Sequence, residues 1–217
     1  MTVVPSYTLY SVRGWGSAIT ESMLALCGAS VELIDVAGCE QPGPARERLL
    51  AANRLAQVPT VILPSGEVMT ESAAITLLLS ERYPEARLAP PLGDALRPAF
   101  LRRLVWLVAN VYPSWTYGDF PERWVTAAPA ELTHSTDAFR MNLWTQLEAE
   151  LPDGPWVLGQ AFSALDIYVA VMSQWRPRIS WFADHCPKLH AIAERTFDRP
   201  VVSPVLVCNF GSWAERK

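Results

Sequence analysis

The chain has 217 residues, half of them apolar, with nine tryptophans and a net charge of −4. That is enough apolar length for one large domain or two small ones sharing an interface, and the mild acidity with no long basic run argues against nucleic acid as a partner. No apolar run approaches the ~18 residues of a membrane helix, the stretch Met1–Pro5 lacks the features of a signal peptide, and Cys27, Cys39, Cys186 and Cys208 are scattered without paired spacing, so the expectation is a soluble, cytoplasmic protein with reduced thiols, no membrane and no nucleic acid.

In chain order, Tyr7–Tyr10 reads as a short first strand, followed by a glycine-bearing loop, Ser11–Ser17. A helix is expected from Ser17 to Cys27, with Ser17 as its N-cap and Gly28 closing it. Val31–Val36 reads as a second strand, Ala37–Pro44 as a loop and Ala45–Leu55 as a short helix with a basic face. Val58–Leu63 is β-branched and apolar, the pattern of a strand. Pro59 near its start gives no N–H to a ladder, so it marks either an edge or a cis turn. Pro64-Ser65-Gly66 supplies a turn, Glu67–Thr70 the returning strand, and Glu71-Ser72 opens a helix with Ala74, Ile75, Leu78 and Leu79 at helical spacing. This β-α-β-α-β-β-α order is the thioredoxin-like arrangement.

Pro84–Gly93 reads as a linker between a domain of residues 1–83 and an all-helical domain of residues 94–217. Leu96–Tyr112 is the first helix of the second part, ended or kinked by Pro113. Glu131–Leu151 carries Phe139, Leu143, Leu147 and Leu151 at intervals of four. Ser163-Ala-Leu-Asp166 is a capping box ahead of Ile167–Trp175, apolar nearly all round and so a buried central helix. Pro187 and Pro200 read as first-turn prolines. His185, Cys186 and His190 lack the paired spacing of a metal set, so no metal is expected. Gly14-Trp15-Gly16 lacks the third glycine of a nucleotide fingerprint, so no nucleotide is expected either.

The Val58-Pro59-Thr60 turn together with Glu71-Ser72 at a helix start resembles the glutathione-binding half of the glutathione transferase superfamily, and the Ser163–Asp166 box sits where that family has one. The likeness spans nearly the whole chain. It implies an α/β thioredoxin-like N-terminal domain plus an all-α bundle, glutathione as co-substrate and a homodimer. By the same likeness, the Val58 backbone pairs with the cysteinyl part of glutathione and Glu71 and Ser72 hold its γ-glutamyl end. Gln57 beside them reaches toward the glycyl carboxylate, as Arg46 or Arg48 would. The chain departs from the family at Asn53-Arg54-Leu55-Ala56, where Asn-Pro-x-Gly is usual.

Such transferases ionise the glutathione thiol; lowering its pKa by about two units from ~8.5 corresponds to about 2.7 kcal/mol, within reach of one charge-assisted hydrogen bond at a helix start. Three hydroxyls qualify: Ser17 first, since a cap sits at the positive helix end, then Tyr10, then Ser11. Gly14 to Gly16 fall where serine- and cysteine-using classes carry their side chain, which weighs against thiol exchange. Trp106, Tyr112, Trp115 and Tyr117 cluster beyond the linker and suit a flat apolar electrophile. The expected activity is conjugation of glutathione to such an electrophile. The rivals are a non-catalytic binding module and a glutathione-dependent reductase or isomerase on the same fold.

Overall fold

The computed structural model describes residues 6–216, so the reading of Met1–Pro5 lies outside the described residues. Strand β1 (Ser6–Ser11) lies parallel to β2 (Ser30–Asp35) and antiparallel to β3 (Thr60–Ile62), which pairs with β4 (Val68–Met69) in a sheet ordered β2-β1-β3-β4. Helices α1 (Ser17–Leu26), α2 (Pro44–Ala52) and α3 (Ser72–Arg82) complete a thioredoxin-like unit. Strand β3 starts at Thr60 and not at Val58, because Pro59 has no N–H for the ladder; the Val58-Pro59 bond is cis. Helix α2 stops three residues early. Asn53 at its C-cap accepts the Leu55 N–H on Oδ1 and donates from Nδ2 to the Gln57 carbonyl and Thr60 Oγ1, which turns the chain off the helix axis. Ala56 then takes a left-handed φ of 49°, the conformation that the usual glycine adopts freely.

The rest is helical: α4 (Arg97–Trp106), α5 (Tyr112–Gly118), α6 (Pro129–Glu150), α7 (Ala164–Met172), α8 (Ile179–His185), α9 (Pro187–Phe197) and α10 (Ser203–Phe210). Pro113 neither ends nor sharply breaks the first of these. A π-helical segment, Leu107–Val111, joins α4 to α5 and immediately precedes Pro113, which has no N–H to give to that segment's carbonyls. The segment read as a linker is docked: Leu88 is fully buried and its carbonyl accepts the Ala164 N–H at 2.8 Å. Pro187 opens α9 as expected, whereas Pro200 lies in the turn before α10 and Pro204 takes the first-turn position. Phe139 is 52% exposed, since a spacing of four drifts about 40° per step from the buried line of Leu143 and Leu147.

Helix α7 is buried along its whole length. Full burial of Ile167, Val169 and Val171 contributes about 1.5–3 kcal/mol each. One apolar core runs through it from Leu9 and Ile19 to Trp144 and Phe182, and a smaller one under α2 gathers Tyr10, Val12, Val36, Cys39, Leu49 and Ala56. Among the described residues no helix is long and apolar enough to cross a membrane.

Candidate functional site

A cleft of about 1170 Å³ separates the sheet's open end from α5 and the turn after α7. Register places its floor. Tyr10 is the last residue of β1 opposite β3, and its partner is Thr60. The chain after β1 and the chain before β3 therefore emerge side by side, bringing Arg13–Gly16 next to Gln57–Pro59. Val58 lies beyond the last ladder pair, so its backbone N–H and C=O have no strand partner. The loop that presents it depends on Asn53, itself 8% exposed with three hydrogen bonds. Asn53→Ala should cost about 2 kcal/mol by leaving buried groups unpaired. A urea midpoint within error of the wild type would show that the loop is held otherwise.

On the opposite rim, Glu71 is the N-cap of α3 with φ 63° and ψ 105°, and no side chain caps the helix. A non-glycine residue pays about 1–2 kcal/mol for a left-handed backbone. Here that conformation leaves the first-turn N–H groups facing the cleft that Glu71 and Ser72 line, an electropositive point suited to a carboxylate. Ser72 also lies near Tyr168, whose hydroxyl is 3.3 Å from Thr76 Oγ1. Five arginines line the cleft (Arg13, Arg46, Arg123, Arg176, Arg178) against three carboxylates (Glu40, Glu71, Asp119), a cationic wall in an anionic chain.

The binding-half residues Gln57, Val58, Pro59, Glu71 and Ser72 are thus brought together in one cleft. The three hydroxyls expected near the thiol are not. Gly16, not Ser17, is the N-cap; Ser17 is fully buried, its Oγ accepting the Val12 N–H and donating to the Val12 carbonyl, both at 3.1 Å. Its hydroxyl closes the β1–α1 turn from inside. Tyr10 alternates to the α2 side of the sheet and packs in the smaller core. Ser11 pairs with Asp35, its carbonyl accepting the Val36 N–H, and does not line the cleft. Arg48 does not line it either, and Arg46 does so while donating to the Cys39 carbonyl.

Of the four aromatics, Tyr112 and Trp115 line the cleft and Trp106 and Tyr117 do not. Three positions along a helix keep a face, whereas five or six turn a side chain about 120–140° away. Trp106 accordingly faces Arg102 and Leu147, and Tyr117 sits behind the cleft residue Trp124, ring centroids 4.7 Å apart. The sequence reading did not include Trp175 and Asn209. Trp175 Nε1 donates to the Gly14 carbonyl at 2.8 Å and Asn209 Oδ1 accepts the Gly14 N–H at 3.1 Å, so the helical part clamps the β1–α1 turn from both sides. Cys39 also lines the cleft, but burial, then Glu40, pushes its thiol up, which keeps it protonated. His185 stacks on Trp181 and His190 lies beside Trp213; no group of three or more metal-ligating side chains occurs among the described residues.

The model of the glutathione S-transferase N-terminal domain family matches residues 5–81. A GST-like protein of Escherichia coli K12, YncG, itself uncharacterised, is 42% identical over 93% of this chain and 97% of its own. Among solved structures, a sphingomonad glutathione S-transferase complexed with glutathione is 28% identical, over 92% of this chain and 96% of the other, at a TM-score of 0.74. A glutathione transferase homologue from Sulfitobacter, with bound glutathione, reaches a TM-score of 0.80 over 93% of this chain and 97% of the other. At 23% identity that last likeness speaks to the fold alone.

Proposed function

This chain belongs to the glutathione S-transferase family, and on that premise we propose that its cleft binds glutathione and joins the thiolate to an apolar electrophile. The observation that carries the reading is the pairing of an unpartnered Val58 backbone with the uncapped start of α3 across one cleft. The cysteinyl backbone of the tripeptide pairs with Val58. Its γ-glutamyl carboxylate meets the α3 amides and Ser72, with Glu71 on its ammonium group, and Gln57 lies toward the glycyl end. The arginine-rich lining favours an anionic peptide. The electrophile lies against the cleft side of the packed cluster of Tyr112, Trp115 and Trp175. The thiol proton leaves to solvent, the sulfur forms a bond to an electrophilic carbon, and a leaving group departs or a conjugated acceptor takes up a proton. The family likeness supports a cytoplasmic homodimer, with residues 1–83 and 94–217 as its two domains and 84–93 as their link.

Ser72→Ala should weaken glutathione binding by about 1–2 kcal/mol, since one donor at the helix start is lost. Calorimetric titration checks this, with circular dichroism confirming the fold; equal affinity in the two proteins would remove Ser72 from the site. Turnover on a panel of flat aromatic halides and conjugated carbonyls tests the chemistry. Tight binding without turnover on any of them would favour the binding-module reading. Thiol-exchange chemistry is disfavoured by the raised thiol pKa of Cys39, the cysteine that lines the cleft.

A further inference from the structure

We propose that Tyr112, from the helical part, is the hydroxyl donor to the glutathione thiolate, occupying the space left by the missing side chain of Gly16. This deepens the glutathione reading and rests on it. A Cβ built on Gly16 would stand 1.7 Å from Tyr112 Oη, 3.1 Å from its Cζ and 3.8 Å from the Trp175 ring. The phenol oxygen therefore sits at the head of α1, where a side chain at position 16 would otherwise be. The register that sets Arg13–Gly16 beside Val58 brings a cysteinyl sulfur, paired at Val58, to that same point.

Three further observations agree. The hydroxyls on the N-terminal side of the turn are unavailable: Ser17 bonds Val12 both ways, and neither Tyr10 nor Ser11 lines the cleft. The Tyr112 hydroxyl lines the cleft and has no hydrogen-bond partner among the described residues. Its ring is fixed edge-on to Trp175, centroids 5.6 Å apart, and to Trp115, 6.3 Å apart. Both tryptophans are pinned by their indole N–H, to the Gly14 and Arg176 carbonyls at 2.8 and 2.9 Å. Burial, then the neighbouring Tyr168, pushes the phenol pKa well above its ordinary value. Tyr112 thus keeps its proton and donates to sulfur, while the thiol proton goes to solvent. The π-helical segment just before it, Leu107–Val111, sets its angle toward α1.

The test is the thiol pKa of bound glutathione, read by titrating thiolate ultraviolet absorbance. Tyr112→Phe should raise it by about 1–2 units, with glutathione Kd within about twofold and kcat below the thiol pKa down about tenfold or more. Arg13, Arg176, Arg178, Glu71 and Asp119 also face the cleft, and they are the same in both proteins. Gly16→Ala should give the same rise by displacing the phenol. The double variant Gly16→Ser with Tyr112→Phe should bring the pKa back down, since loss of the phenol oxygen makes room for a hydroxyl at position 16. Normal glutathione affinity with an unshifted thiol pKa in both single variants would overturn the role of Tyr112 and leave the glutathione reading intact. No glutathione binding by the wild type would overturn both.

Discussion

Replacing Asp166 by alanine should cost about 3 kcal/mol of folding stability, more than a surface helix cap gives. An ordinary cap is worth about 1 kcal/mol because water can take over its hydrogen bond. Asp166 is fully buried, and its two carboxyl oxygens serve different parts of the chain. Oδ2 accepts the Ser163 N–H at 2.7 Å, closing the capping box of α7; Oδ1 accepts the Val157 N–H at 2.8 Å and anchors the preceding loop. Alanine would orphan two buried donors at about 1–3 kcal/mol each. Equilibrium unfolding in denaturant gives the number, and a loss below 1 kcal/mol would mean that water reaches both N–H groups. Glutathione affinity should be unchanged, since Asp166 is buried in the first turn of α7 and does not line the cleft.

The same residue gives a pH dependence with a definite sign. Burial pushes the Asp166 carboxyl up to about 7, against the downward pull of the Val157 and Ser163 N–H bonds. An unfolded aspartate titrates near ~3.9. Below that pH both states are protonated and the contribution is fully present. As pH rises toward 7 the unfolded chain ionises first while the folded one holds its proton, so this contribution falls away. Asp166→Asn cannot titrate and should lack that decline. A wild type that gains stability over Asp166→Asn between pH 4 and 7 would show an ionised Asp166 in the fold.

What was legible in the sequence was short-range. The βαβαββα order, the capping box and the Val58–Ser72 pairing each follow from neighbours a few residues apart, and the structure and the family matches agree with that fold. What was not legible came from distance or from helical phase. Trp175 and Asn209 reach Gly14 across 161 and 195 residues, and nothing local in their sequence marks them. Trp106 and Tyr117 were grouped with Tyr112 by density, but side-chain direction depends on phase through the π-helical turn. Ser17 carried a capping signature that Gly16 displaced by one position, which turned its hydroxyl inward onto Val12. A one-residue shift at a helix start is enough to move a hydroxyl from ligand to core.

Arg140→Ala should be the most damaging single change in the helical part, at about 4 kcal/mol, while Arg140→Met should cost less than about 1.5 kcal/mol. Arg140 is fully buried on α6, ion-paired to Asp137, donating from Nη1 to Ser114 Oγ at 3.2 Å and lying 4.7 Å over the Trp115 ring. Its Nε has no partner, so the charge is imperfectly satisfied, and burial holds its pKa below the usual guanidinium range. Alanine would leave a cavity beside Trp115 and remove the donor to Ser114 Oγ, which keeps its own bond to the Val111 carbonyl. Methionine fills most of that volume and carries no charge to desolvate. Asp137 tolerates the loss because it keeps Arg176, whose Nε lies 3.0 Å away, and is itself partly exposed. Equilibrium unfolding of the two variants separates shape from charge: equal, large losses would make the ion pair itself the stabilising element, whereas a small loss in methionine alone assigns the role to packing. Trp115 supports the ring of Tyr112 edge-on, so the alanine variant should also lower kcat on any electrophile that the wild type turns over, and the methionine variant should not.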